Sequence, residues 1–439
     1  MRLLDVIRKD LAELFVSRAY WLVLASVGLL TGATFIQAVN TYAEASGIGG
    51  GAAALPQALS PLDGILVPTL GAYDLAIMLL FPFVAIRLVS AEKSSSALKL
   101  MLQWPVSRGA HVASKAIVLV IAWLVSLVPF AIALIMWRSY GGHLNAAETI
   151  NLLAGYTLRY LLTMSVACAA AAIMPGAANA AVVVLALTIG TWALDFLAAG
   201  RGGFVQALAS YTPAALLRSF ERGLVRADVS LVLITLTVTF FALTAIFLDL
   251  GARTRTLVAR TVACLAIASV LAAAFSLVHP SADVSENHRN SFSEPDQRAL
   301  AKIREPLRLT IYLAPEDPRM NDFQSNVLIK LRRSMNVEAE YPLEGRTGLF
   351  EQRYGEIDYQ LAGKTATNRS TTEEIVLDTI YGLAGVTPPQ RPESDYAGYP
   401  LAKKPRGAAW LFFVAWPILV VLSWRSGARV TSPRNPQTG

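Results

Sequence analysis

Few residues in this chain are disposed to make or break bonds. The four histidines, His111, His143, His279 and His288, are dispersed. Neither a Gly-x-Ser-x-Gly nor a His-Glu-x-x-His pattern accompanies them, so they are read as surface histidines. The two cysteines, Cys168 and Cys264, both fall inside apolar runs, which makes them small hydrophobes and leaves no disulfide framework or metal knuckle. Gly363-Lys364-Thr365 resembles the end of a phosphate-binding loop, but Asp358 stands where the first glycine of that motif belongs, and the triplet is read as a turn. The carboxylates of Glu338 and Glu340, interspersed with arginines, read as a solvated surface. No catalytic residue, cofactor site or metal ligand is assigned, and the chain is read as not an enzyme.

Two other groupings point to mechanical and electrostatic roles. In the stretch from Ala91 to Lys115, Leu98, Met101 and Leu102 form one apolar helical edge beside Glu92 and Lys99, and Pro105 ends the helix before Arg108. Trp104 is a large side chain suited to a partner's pocket. Within the apolar runs ionisable residues are rare, and each is a functional hypothesis. Arg159 and Asp195 lie at similar distances on either side of a tight turn near Gly176, so helices rising about 1.5 Å per residue place them at nearly equal depth. An ion pair between them is expected, either as a substrate-facing or gating contact or as a structural pair; the alternative is that each snorkels separately toward the outer surface.

The elements that must hold these residues are membrane spans. Of 439 residues 54% are hydrophobic and 16% charged, with mean hydropathy +0.47, too apolar for a soluble chain of this length. A bilayer core needs about 20 apolar residues per helix. Eight stretches approach that, at about Tyr20–Val39, Val67–Val89, Ala116–Trp137, Leu152–Met174, Ala178–Ala199, Val229–Asp249, Leu257–Val278 and Ala408–Trp424, the last being short and holding Pro417. Ahead of the first, Leu3, Leu4, Ile7, Leu11, Leu14 and Phe15 recur at helical spacing, as in an amphipathic surface helix. The first apolar run exceeds the roughly 7–15 residues of a signal core, so it is read as a retained span.

Lysine and arginine set the orientation. They gather before the first span, between the second and third, and after the sixth at Arg253, Arg255 and Arg260, whereas 40–66 holds none. Both chain ends are therefore expected in the cytoplasm and 40–66 outside. The stretch Gly200–Ser230 breaks the rule with Arg201, Arg218, Arg222 and Arg226. Thr212-Pro213 opens a helix there, and Leu217, Phe220 and Leu224 oppose the arginines, as in a helix lying on anionic headgroups. Net charge +7 does not imply nucleic acid, because no basic stripe interleaved with aromatics exists.

From His279 to Arg406 long apolar runs disappear, which predicts a folded external domain between two spans. Leu307, Leu309, Ile311 and Leu313 alternate as in a strand; Phe323, Val327, Leu328 and Leu331 follow helical spacing; Val337, Ala339 and Tyr341 alternate again. A further strand is expected over Glu356–Leu361, and Thr371 with Glu374 forms a capping box for a helix through Val376, Ile380 and Leu383. The fold class is thus an α-helical polytopic membrane protein with a small α/β domain inserted between its last two spans. Its divisions are 1–256 with six spans, 257–278 a seventh, 279–406 the external domain, 407–425 an eighth, and 426–439 a tail.

The Ala91–Lys115 stretch resembles the first intracellular loop of type-2 ABC exporter permeases at Glu92, Leu98, Leu102, Pro105, Arg108 and Lys115. It departs from the pattern at Ser96-Ala97, where Gly-Thr is preferred, at Lys99, where an acid is usual, and at Ser114, which replaces a glycine. Tyr211-Thr212-Pro213 through Asp228 looks like the Gld-type, gliding-motility-associated, branch. Asp283, Asn287-His288-Arg289-Asn290 and Arg304 to Tyr312 resemble the auxiliary Gld-type subunit, as do Tyr354-Gly355-Glu356-Ile357 and Ser370-Thr371-Thr372-Glu373. The resemblance implies a permease fused to a shortened auxiliary domain in a bacterial inner membrane. It implies a dimer with a second permease copy or a related permease, a cytoplasmic ATPase partner that binds ATP and Mg, and a coupling role for the loop. It also allows a periplasmic partner. A membrane-anchored scaffold or a secondary transporter would be the alternatives; the latter should show coupling-ion ligands near the bilayer middle, and few candidates exist.

Overall fold

In lipid every backbone N–H and C=O must be satisfied within its own segment, so long apolar runs become helices. The computed structural model describes residues 3–47, 60–94, 107–198, 204–249, 251–278, 280–286, 288–314, 317–342, 352–390, 398–401 and 407–431. Helix α1 is Leu3–Val16. Among the described residues eight helices that follow are long and apolar enough to cross a membrane, at Arg18–Ala45, Leu62–Ser94, Arg108–Ser139, Ala146–Ile173, Ala177–Ala198, Ala227–Phe247, Thr254–Ser276 and Ala408–Ser426. The chain is a multi-pass membrane protein, and all eight spans expected from the sequence are helical.

Prolines subdivide three of them. The first span is α2 (Arg18–Ala45). The second comprises a π-turn at Leu62–Leu66, then α3 (Val67–Leu79) and α4 (Phe81–Ser94), parted just ahead of Pro82. The third is α5 (Arg108–Ser126) and α6 (Val128–Ser139), parted at Leu127 ahead of Pro129. Tyr73 bridges that second break: its hydroxyl donates to Ser126 O (2.7 Å) and accepts from Phe130 N–H (3.2 Å). The fourth span, α7 (Ala146–Ile173), is the most enclosed and packs on the second, third and sixth. The fifth, α8 (Ala177–Ala198), is peripheral. Helices α9 (Phe204–Ala209) and α10 (Pro213–Glu221) lead through strand β1 (Leu224–Arg226) to the sixth span, α11 (Ala227–Phe247), and the seventh, α12 (Thr254–Ser276), where Ala268 is the buried residue. As the sequence indicated, Thr212 caps α10, its hydroxyl accepting from Ala215 N–H at 3.2 Å.

Beyond the seventh span, β2 (Ser281–Asp283) pairs antiparallel with β1, a contact no periodicity announced because both strands are three residues long. After α13 (Glu294–Leu300), a four-stranded sheet runs β4-β3-β5-β6, with β3 at Leu307–Ile311, β4 at Val337–Glu340, β5 at Ile357–Leu361 and β6 at Lys364–Asn368. Strands β3 and β4 are parallel, joined through α14 (Pro318–Phe323) and α15 (Ile329–Ser334); the other two pairings are antiparallel. The alternating Leu307, Leu309 and Ile311 pack with Phe323, Leu331, Tyr359 and Ile380 in one core. Gly363-Lys364-Thr365 is at a hairpin turn: Ala362 and Gly363 both have positive φ (54° and 76°), as a tight two-residue turn requires. The capping box is corrected. Helix α16 starts at Glu373 and runs to Ala384, its N-cap is Thr372, and that side chain makes no cap bond because Ser370 Oγ engages Thr372 Oγ1 instead.

The last span docks on the first. Helix α17 (Ala408–Trp410), a π-turn (Leu411–Ala415) and α18 (Trp416–Thr431) follow one another, the widened turn falling just before Pro417, whose ring and missing N–H disrupt a regular ladder. Gly28 and Gly32 of α2 provide the seat. A β-carbon at Gly28 would lie 1.9 Å from the Trp416 ring, and one at Gly32 would lie 2.3 Å from Phe412. Trp416 Nε1 donates to Leu24 O at 3.1 Å.

Candidate functional site

A buried polar cluster joins α1, the end of α4 and the start of α5. Asp10 is fully buried although it sits on an amphipathic helix, because it occupies the same face as Val6 and Leu14. Glu92 Oε1 receives hydrogen bonds from Lys115 Nζ and Lys9 Nζ, both at 2.6 Å, and Glu92 Oε2 lies 3.0 Å from His111 Nε2. Lys115 Nζ also donates to Asp10 Oδ1 at 3.0 Å, and Ser114 Oγ to Asp10 Oδ2 at 3.4 Å. Two carboxylates thus face two ammonium groups and an imidazole. Burying charges this deeply is tolerable only when each is paired and hydrogen-bonded. Lys9, the most exposed member, is held above its ordinary pKa: partial burial opposes its charge, but the Glu92 hydrogen bond and the nearby carboxylates outweigh that.

This cluster brackets 95–106. Glu92 precedes that stretch, and His111 and Lys115 follow it. Lys93 Nζ donates to Ala172 O and Met174 O, both at 2.7 Å, where a cation complements the carbonyl end of α7. On the other flank Ser107 caps α5, and Arg108 Nη1 binds Asp249 Oδ2 at 2.5 Å, a carboxylate shared with Arg260 at 2.9 Å. The arrangement fixes the two ends of 95–106 to α1, α7 and the turn after α11. Of the residues expected to act in coupling, Glu92 and Arg108 are therefore located, whereas Leu98, Lys99, Met101, Leu102, Trp104 and Pro105 lie outside the described residues. Asp10 was not foreseen, and the surface reading of His111 is corrected: it is buried, with its ring held against Glu92. The signal for Asp10 was a lone acid on the apolar face of the first helix.

The expected Arg159–Asp195 pair is corrected. Arg159 Nε lies 2.5 Å from Asp74 Oδ1, on α3 of the second span, and Arg159 Nη1 is buried without a hydrogen-bond partner among the described residues. Asp195 instead takes Arg218 Nη2 of α10 at 2.8 Å and the Thr212 hydroxyl at 2.8 Å. Equal depth does not fix azimuth: α7 turns Arg159 into the bundle, while α8 turns Asp195 toward α10. Beside them Tyr156 donates to Glu221 Oε1 at 3.0 Å, and burial pushes the Glu221 carboxyl above its usual range. Two of the four arginines in Gly200–Ser230 are thereby accounted for by carboxylates rather than headgroups, Arg218 by Asp195 and Arg226 by Asp228.

At the opposite end of the bundle the sheet domain is clamped. The His143 and Tyr399 rings stack at 3.8 Å, and Glu286 Oε1 lies 2.8 Å from His143 Nε2 and accepts from the Tyr399 hydroxyl at 2.8 Å. Tyr42 donates to Tyr399 O at 2.7 Å, Ser46 Oγ accepts from Leu401 N–H at 2.9 Å, and Arg289 pairs with Asp63. Tyr42, Ser46 and Asp63, which flank the first and second spans, and the sheet domain therefore share one side of the bundle.

No curated protein and no solved structure matches the chain. Residues 64–189, the stretch that carries Asp74, Glu92, His111, Lys115 and Arg159, match the family model described as ABC-2 family transporter protein, which supports a membrane permease subunit of an ABC transporter.

Proposed function

We propose that this chain is the permease of an ATP-driven exporter whose ATPase is a separate cytoplasmic subunit, and that the 92–108 segment is the coupling element. The observation that carries the reading is the buried Asp10–Glu92–Lys115 network, which lies at both ends of that segment and, apart from α1, inside the stretch matching the ABC-2 model. A segment clamped at both ends transmits a push. When the ATPase binds ATP and Mg and displaces 95–106, the force passes through Glu92 into the second span and through Arg108 and Lys115 into the third. The packing of α4 and α5 on α7 then carries it toward Asp74 and Arg159.

On this reading both termini face the cytoplasm of a bacterial inner membrane, two copies or a related permease pair through the exposed apolar faces of the fifth and seventh spans, and the sheet domain stands in the periplasm. That domain acts as a built-in counterpart of the Gld-type auxiliary subunit, receiving substrate or a periplasmic partner. The test is a detergent pull-down of the tagged full-length chain beside a variant carrying Leu98→Asp and Trp104→Asp. Recovery of an ATPase that the double substitution releases, with membrane insertion intact, is the expected result. Absence of any ATPase from both preparations would instead favour a membrane-anchored scaffold.

A further inference from the structure

A second site lies beside the clamp, between the end of the second span and the turn joining the fourth and fifth. It is a cleft of about 430 Å³ lined by Arg87, Ser90, Lys93, Met174, Gly176 and Ala177, among others, and no carboxylate lines it among the described residues. Lys93 is committed to the carbonyls of Ala172 and Met174, so its ammonium holds the turn in place while contributing charge. Arg87 is exposed and has no ionic partner among the described residues. It sits seven residues before the end of α4 at Ser94, about 10 Å along the helix axis, the depth from which a long cationic side chain reaches the headgroup layer.

Two further features aim donors at the same space. Helix α8, 22 residues long, starts here at Ala177; its first N–H groups have no intrahelical acceptors, and Gly176 before them carries no side chain. A β-carbon on Gly176 would meet nothing within 4 Å, so no described residue crowds that position. Ser90 is the independent sign. It is 8% exposed, it lines the cleft, and its hydroxyl has no hydrogen-bond partner among the described residues. Many hydroxyls in the spans turn back onto a carbonyl three or four residues earlier, as Ser126 does to Trp123 and Thr31 to Val27, whereas Ser90 shares its lack of a partner with Thr261 of the seventh span, which does not line the cleft. Because it lines a cleft, the unpartnered Ser90 hydroxyl is free to donate to a group from outside the chain.

We infer that this cleft binds the phosphate headgroup of an anionic phospholipid from the leaflet on the α1 side, with Arg87, Ser90 and the α8 N-terminus as donors. The site needs neither the ATPase nor the coupling role of the neighbouring segment. It is tested on the full-length protein in neutral detergent by native mass spectrometry during titration with phosphatidylglycerol, beside phosphatidylcholine and with inorganic phosphate as competitor. Phosphatidylglycerol should bind in preference to phosphatidylcholine, with affinity about fivefold weaker in Arg87→Gln. It should also weaken in Ser90→Ala and stay unchanged in Arg138→Gln, a control at the other end of the third span. Equal binding of the two lipids, or displacement of phosphatidylglycerol by millimolar phosphate, would overturn the lipid assignment. Unaltered affinity in Arg87→Gln would remove the site itself; should that variant not fold, unaltered affinity in Ser90→Ala would do the same.

Discussion

Lys115 illustrates how a single buried charge becomes indispensable without being reactive. It is 2% exposed and bridges the carboxylates of Asp10 and Glu92, so removing it leaves two desolvated anions facing each other with His111, the Ser114 hydroxyl and the half-exposed Lys9 beside them. Breaking a buried pair from one side costs about 3–5 kcal/mol, whereas an exposed pair is worth about 1 kcal/mol or less. Lys115→Met is therefore expected to lower stability in detergent by about 3–5 kcal/mol, and Lys9→Met by far less, as read from denaturant unfolding followed by tryptophan fluorescence. Equal losses in the two variants would show that Asp10 and Glu92 do not depend on Lys115 in the way its burial implies. Glu92 and Lys115 were legible in the sequence as parts of a patterned loop. Their joint partner Asp10 was not, because periodicity marks which face of a helix is apolar and says nothing about an acid placed on that face.

Among the elements, the pairing of α2 with the final span depends on two missing side chains. Gly28 and Gly32 leave a notch that Trp416 and Phe412 fill, and any β-carbon at Gly28 would overlap the indole. Close packing is what joins helices in lipid, where no hydrophobic gain separates one apolar surface from another. Gly28→Leu should detach α18, lowering the thermal midpoint by several degrees and lengthening the distance between labels on the two helices. Trp416→Ala in the same chain should recover part of the loss, since the smaller residue vacates the space. The spans themselves were fully legible because length and hydropathy decide them. Their neighbours were not: the Arg159–Asp195 expectation failed on azimuth, with Asp74 overlooked inside an apolar run, and β1–β2 was too short to carry a period. In the sheet domain the alternation at Leu307–Ile311 sufficed for β3, but β6, with burial alternating weakly along Lys364–Asn368, gave no such signal.

Across the whole molecule the sheet domain is held at several separate places, by β1–β2 pairing, by the His143–Glu286–Tyr399 group, and by Ser46 against Leu401. It is not a bead on two linkers, and a shift of the first or fourth span is felt at its base. Tyr399→Ala combined with Glu286→Ala should speed hydrogen exchange in β2 and at 398–401 by about tenfold while leaving β3 and β5 protected, because their core is independent of the clamp. Uniform loss of protection through both regions would mean that the domain and the bundle unfold as one unit.

The seating of Trp416 on α2 also sets a timetable for biosynthesis. Its contact with Leu24 spans 392 residues, so at a translation rate of about 5–20 residues per second the notch at Gly28 and Gly32 waits roughly 20–80 s for its occupant. During that interval the first helix, already inserted, presents an unfilled groove to lipid and to whatever membrane factors attend nascent chains, and a ribosome that stops short of the final span releases a product with that groove still open.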